Sequence, residues 1–212
     1  MKLYKICNKI SLLLHVLASA AGYFVMEAIC RHSFIEAWNY MTQRPLVFAY
    51  NAAFIFTSSL IVYLFHRRVF WRILVTLFWL ILAIINGVLL LNRVTPFTGP
   101  DLHLITDAMK IANKYLPVAG VVAVCILFGI LVILLLMLLI KGPKYQKKIK
   151  YRYNIPLILL AVALFAGSTQ LALEKRVLSN YFGNIAFAYE DYGYPYCCLL
   201  YTSPSPRDYA AS

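Results

Sequence analysis

The residues best suited to chemistry lie in one polar stretch, Asn92 to Leu116, which reads N-R-V-T-P-F-T-G-P-D-L-H-L-I-T-D-A-M-K-I-A-N-K-Y-L. It is the longest polar interruption in an otherwise apolar chain. Arg93, Thr95, Thr98 and Asp101 cluster at its start. A guanidinium can donate two parallel hydrogen bonds to an oxyanion, so Arg93 suits a phosphate. The four residues are expected to form a patch that contacts a lipid headgroup or docks a further domain. A plainer reading stands beside that one. Arg93 snorkels at the end of a span, and Asp101 caps the helix that follows.

Other ionisable groups are few. His15 and Glu27 sit in one apolar block, with Glu27 near its far end, where it is expected to reach the interface. A transporter or channel would want ionisable groups facing inward in several spans, and only this block has them. Cys7, Cys30, Cys125, Cys197 and Cys198 fit no zinc or redox spacing. Cys125 reads as a small core hydrophobe. No recognisable catalytic centre is present, and no metal ligand or cofactor site is assigned.

The elements that position these residues are membrane-spanning helices. The chain is 62% hydrophobic, with a mean hydropathy of +0.74. Its apolar residues gather into blocks long enough to cross a bilayer. Five spans are expected, over about 10–29, 45–65, 69–91, 117–140 and 155–173. Ala18-Ser19-Ala20 resembles a signal cleavage site, but the apolar run continues past it and reads as a retained span. Pro45 and Pro156 open the second and fifth blocks, where a proline costs no hydrogen bond. Arg31–Arg44 reads as a short polar connection. His66-Arg67-Arg68 makes a tight helical hairpin, and Asn86-Gly87 marks a close packing point or a bend. Asn51, Thr57, Ser58 and Ser59 are the polar members of the second block, and its small hydroxyl residues read as packing helices together.

From Leu102 the apolar positions Ile105, Ala108, Met109, Ala112, Tyr115 and Leu116 follow a three-and-four spacing. This predicts a short amphipathic helix on the outer surface, at roughly 15 residues too short to span. From Glu174 the chain turns amphipathic and then aromatic. The expected fold is therefore all-α and integral to the membrane: five transmembrane helices, the outer-surface helix and a juxtamembrane helix. Residues 1–173 form the membrane domain and 174–197 a linker.

Orientation follows from charge. The N-terminus, the loop at Arg67 and the loop Lys141–Arg152 share one side, with twelve Lys and Arg and no acid. The opposite side has seven basic residues together with Glu36, Asp101, Asp107, Glu174, Glu190 and Asp191. Basic loops stay in the cytoplasm, so the N-terminus is expected inside and the C-terminal segment outside. The net charge of +12 is accounted for by these loops rather than by nucleic acid. The cluster Lys141–Arg152 suits topological anchoring and, with it, anionic lipid headgroups.

The tail needs separate treatment. Residues 198–208 read C-L-L-Y-T-S-P-S-P-R-D, matching a translation of the transposase adapter used in DNA library preparation. Residues 198–212 are expected to be non-native, and the natural chain to continue past Cys197.

Two stretches, R-V-T-P-F-T-G-P-D at Arg93–Asp101 and N-I-A-F-A-Y-E-D-Y-G-Y-P-Y-C at Asn184–Cys197, resemble segments of lipoteichoic acid synthase family proteins. These belong to the sulfatase and alkaline phosphatase superfamily. The resemblance covers residues 1–197. It implies a bacterial multi-pass membrane platform for an extracellular catalytic domain that follows the fifth span. That domain would use a threonine nucleophile and a divalent metal, manganese or magnesium, to transfer glycerol phosphate from phosphatidylglycerol. None of its catalytic or metal-binding residues falls in this chain, and Thr95 and Thr98 are not the nucleophile. The implied partners are the bilayer, an anionic phospholipid such as phosphatidylglycerol, and the chain's own catalytic domain. The alternative is a stand-alone polytopic protein, a transporter subunit or a regulator.

Overall fold

The computed structural model describes residues 11–92, 96–97, 118–143, 145, 149–178 and 185–200. Among them there is helix and no strand. Helix α1 is Ser11–Cys30, α2 is Phe34–Gln43, and α3 is Pro45–Ser59, which runs into a 3-10 turn at Leu60–Leu64. Then come α4 (Arg68–Asn92), α5 (Val118–Lys141), α6 (Tyr151–Glu174), α7 (Ile185–Tyr192) and α8 (Tyr194–Leu200).

Four helical stretches are long and apolar enough to cross a bilayer: Leu12–Cys30, Pro45–Leu64, Arg68–Leu91 and Tyr151–Glu174. They match four of the five expected spans. At the remaining one, the fourth, α5 is helical over 24 residues, with a shorter apolar helix at Ile126–Lys141 among its described residues.

Local chemistry explains the ends. Pro45 occupies the first turn of α3, where its missing N–H would have no partner anyway. At the other end, the Ser58 and Ser59 hydroxyls donate to the carbonyls of Ile55 and Phe56 at 2.8 Å each. Hydroxyls that compete for these carbonyls favour the tighter 3-10 turn that follows. Pro156 departs from expectation. Helix α6 starts at Tyr151, so the proline lies inside it and removes one hydrogen bond from its early turns.

The polar connection Arg31–Arg44 is itself largely helical. It contains α2, capped by Ser33, whose Oγ accepts the Glu36 N–H at 3.3 Å. Ala37 and Tyr40 face inward, while Phe34, Ile35 and Trp38 face out. An aromatic and aliphatic outer face on a short helix suits the bilayer interface. The outer-surface helix expected at 102–116 lies outside the described residues.

Helix α1 is the centre of the bundle and packs on α2, α3 and α4. Gly87 of α4 permits the close crossing with α1: a Cβ there would meet the Ile29 carbonyl oxygen at 3.0 Å. Asn86-Gly87 is thus a packing point. Helix α6 lies against α3 and the 3-10 turn and buries no residue completely. The buried core gathers Tyr23, Met26, Cys30, Tyr40 and Ala83 with Tyr189, Tyr194 and Tyr196 from the C-terminal segment. The described residues 185–197 therefore pack onto the bundle.

Candidate functional site

Helix α1 places Tyr23, Glu27 and Arg31 four residues apart, on one face. Glu27 is buried within the protein. It is 1% exposed, and a carboxylate in such a place needs donors on both oxygens. Tyr23 Oη donates to Glu27 Oε1 at 2.8 Å, and Arg31 Nε donates to Oε2 at 3.0 Å. The third donor comes from the far end of the chain: the Tyr194 main-chain N–H reaches Oε1 at 3.0 Å.

Asn51 of α3 makes a parallel contact one turn of backbone away. Its Nδ2 donates to the Tyr192 carbonyl at 2.7 Å, and its Oδ1 accepts the Tyr196 N–H at 3.0 Å. Asn51 is fully buried. It holds main chain.

Gly193 lies between these two contacts with φ of 77°, in the left-handed region that favours glycine. A Cβ there would run into the hydroxyl oxygens of Tyr23 and Tyr40 and into Glu27 Oε1. Only glycine lets the backbone approach the carboxylate this closely. The result is a clamp in which two polar side chains of the bundle bind the main chain on either side of one glycine.

Charged residues surround the clamp. Arg31 Nη2 donates to the Glu190 carbonyl at 3.1 Å. Its guanidinium lies 4.2 Å from the Tyr40 ring centroid and 5.3 Å from that of Tyr189, within cation–π range. Arg44 pairs with Asp191 at 2.6 Å, both half-exposed. Burial, and then the Glu27 charge, push the Tyr40 and Tyr189 phenols well above the usual tyrosine range. Burial does the same to Tyr196. Burial opposes the Arg31 charge, but Glu27 outweighs it and the Arg31 pKa is raised.

A cleft of about 800 Å³ adjoins the clamp, with Arg31, His32, Asn39, Arg44, Glu190 and Asp191 among its walls. Its arginines are engaged by Glu27 and Asp191. Among the described residues no group of three or more His, Cys, Asp or Glu is arranged to hold a metal.

The patch proposed from sequence, Arg93, Thr95, Thr98 and Asp101, lies outside the described residues. Pro96 and Phe97, between its members, are buried. The Phe97 N–H donates to Asn86 Oδ1 at 2.7 Å, so α4 holds this loop by its main chain as well. His15 is buried with partners: Nε2 lies 2.6 Å from Ser59 Oγ, and Nδ1 lies 3.2 Å from Tyr63 Oη. Both ring nitrogens are used within the bundle.

Sequence reasoning missed Gly193 and did not foresee the partners of Glu27 and Asn51. One signal was available. Arg31 follows Glu27 by four residues, the spacing of a helical ion pair, which lets an acid stay inside. No family model matches the chain, nor does any curated protein or solved structure.

Proposed function

We propose that this chain is a five-span membrane platform that holds its C-terminal segment rigidly at the outer surface, as the membrane domain of a lipoteichoic acid synthase-like phosphoglycerol transferase. The catalytic unit follows Cys197 in the natural chain and carries the divalent metal. The N-terminus is cytoplasmic and the clamp faces outward, in accord with the excess of basic residues on the other side.

One observation carries this reading. Asn51 and Glu27 hold the main chain on either side of Gly193, Asn51 at the Tyr192 carbonyl and the Tyr196 N–H, and Glu27 at the Tyr194 N–H. Main-chain contacts fix the path of a segment whatever its side chains do. A catalyst acting on headgroups benefits from such an anchor, because tethering raises its effective concentration at the surface. Clamping at two points adds orientation to proximity. The buried ionisable groups would favour the stand-alone transporter reading, but Glu27 and His15 already have their partners inside the bundle.

The test is to sequence the source DNA across codon 198. The reading expects an open frame running from Cys197 into a large domain with a metal-binding Asp/Glu/His set and a threonine or serine nucleophile. A stop codon at that point, or a natural sequence encoding residues 198–212, would overturn it in favour of a stand-alone membrane protein.

A further inference from the structure

A second cavity, of about 580 Å³, opens on the opposite end of the bundle between the 3-10 turn, α6 and the start of α1. One end is polar, with Tyr63, Arg68, Tyr145 and Asn154. The rest is apolar and follows α6 through Leu157 and Leu160 to Leu164. From Asn154 to Leu164 a helix rises about 15 Å. That is the depth of one leaflet in a hydrocarbon core about 30 Å thick.

The polar end is built around one cation. The Arg68 guanidinium lies 3.6 Å from the Tyr145 ring centroid and 5.2 Å from that of Tyr63. Rings on its faces leave its in-plane N–H groups for hydrogen bonding. Its Nε is buried, with no hydrogen-bond partner among the described residues. The rings are themselves held in place. The Tyr145 N–H donates to the His66 carbonyl at 2.7 Å, and Asn154 Nδ2 donates to the Tyr63 carbonyl at 3.1 Å. Neither Asp nor Glu occurs between Glu36 and Asp101 or between Asp107 and Glu174. The elements forming this polar end thus contain no carboxylate to neutralise Arg68, and the charge calls for an external anion.

We propose that this groove binds an anionic glycerophospholipid from the leaflet on the basic side of the bundle, with its phosphate on Arg68 and an acyl chain along Leu157, Leu160 and Leu164. The site is separate from the clamp and does not depend on the proposed function. The lipid wedges α6 against the 3-10 turn, where α6 buries no residue completely.

The purified, delipidated full chain is titrated in neutral detergent with phosphatidylglycerol or phosphatidylcholine, and bound lipid is counted by native mass spectrometry. Phosphatidylglycerol is retained and phosphatidylcholine is lost. Arg68→Gln weakens retention about fivefold, the effect of one basic residue at a membrane surface. Leu160→Trp fills the groove, leaves every charge in place and also abolishes retention, so a folding failure of the first variant leaves the test intact. Arg152→Gln, which removes an exposed cation outside the groove, has a much smaller effect. Equal retention of both lipids would overturn the proposal. So would an Arg152→Gln loss equal to that of Arg68→Gln, a Leu160→Trp variant that binds normally, or displacement of the lipid by the same concentration of inorganic phosphate.

Discussion

Glu27 and Tyr194 stand 167 positions apart in the chain, yet the Tyr194 main-chain N–H donates to the Glu27 carboxylate at 3.0 Å. The contact joins the first helix of the bundle to the segment that leaves it. It also explains how a carboxylate survives inside the bundle: three donors share it, one of them a guanidinium.

Replacing Glu27 with Leu leaves Arg31 and the Tyr194 N–H without their acceptor. Breaking a buried pair in this way costs about 3–5 kcal/mol. The expected result is a lower thermal midpoint in detergent and loss of hydrogen-exchange protection at Tyr194. Asp191→Asn, at the half-exposed pair with Arg44, costs less than about 1 kcal/mol. Equal effects from the two variants would contradict the view that burial sets the value of the Glu27 contact.

Gly193→Ala meets both a left-handed backbone and the Tyr23 hydroxyl. The backbone term alone is about 1–3 kcal/mol. Adding Tyr23→Phe removes one of the colliding oxygens, so the double variant recovers part of the loss but not all of it. A double-mutant cycle on thermal unfolding measures the coupling. Additive losses would mean that the two residues do not meet.

Asn51→Leu keeps the branching and the heavy-atom count but removes the side-chain partner of the Tyr196 N–H and the Tyr192 carbonyl, at about 1–3 kcal/mol. The 185–197 segment then detaches more often. Limited trypsin digestion after the exposed Lys175 and Arg176 is expected to run faster than in the wild type, with the bundle itself still intact.

The raised phenol pKa values of Tyr40, Tyr189 and Tyr196 give a pH dependence of definite sign. A pKa higher in the folded state than in the unfolded state stabilises the fold below the unfolded value, and that stability is lost as pH rises further. Docking of the segment is therefore constant from about pH 6 to 9 and weakens above about pH 10, the ordinary tyrosine value. Exchange protection at Tyr196, followed together with phenolate absorbance, checks this. Loss of docking near neutral pH would require a different titrating group.

Two glycines test the packing of α1. A Cβ at Gly22 meets nothing within 4 Å, while at Gly87 it meets the Ile29 carbonyl oxygen at 3.0 Å. Gly22→Ala is expected to be neutral or to stabilise by about 0.5–1 kcal/mol through helix propensity. Gly87→Ala destabilises, because α1 and α4 must separate. Thermal unfolding of the two variants shows the opposite signs.

Much of the fold is legible in the residues alone. Runs of apolar side chains long enough to cross a bilayer declare the helices, and Pro45 and the arginines at 67 and 68 mark where they start and stop. The helix at Phe34–Gln43 was harder to read, because Glu36, Asn39 and Thr42 share it with an inner side of Ala37 and Tyr40 and an apolar outer side of Phe34, Ile35 and Trp38. The packing of tyrosines from 185–197 into the core was not legible either. Tyrosine carries a large apolar ring and a single hydroxyl, so it is at home in a core once that hydroxyl is accommodated.

The sequence by itself determined the helical class, the positions of four long apolar helices and the gathering of basic residues between them, because each depends on composition within one local window. Only the tertiary structure decided that Glu27, Asn51 and Gly193 form one clamp. That contact joins residues from three distant parts of the chain, and main-chain N–H groups, two of its partners, are the same at every position and leave no mark in the sequence.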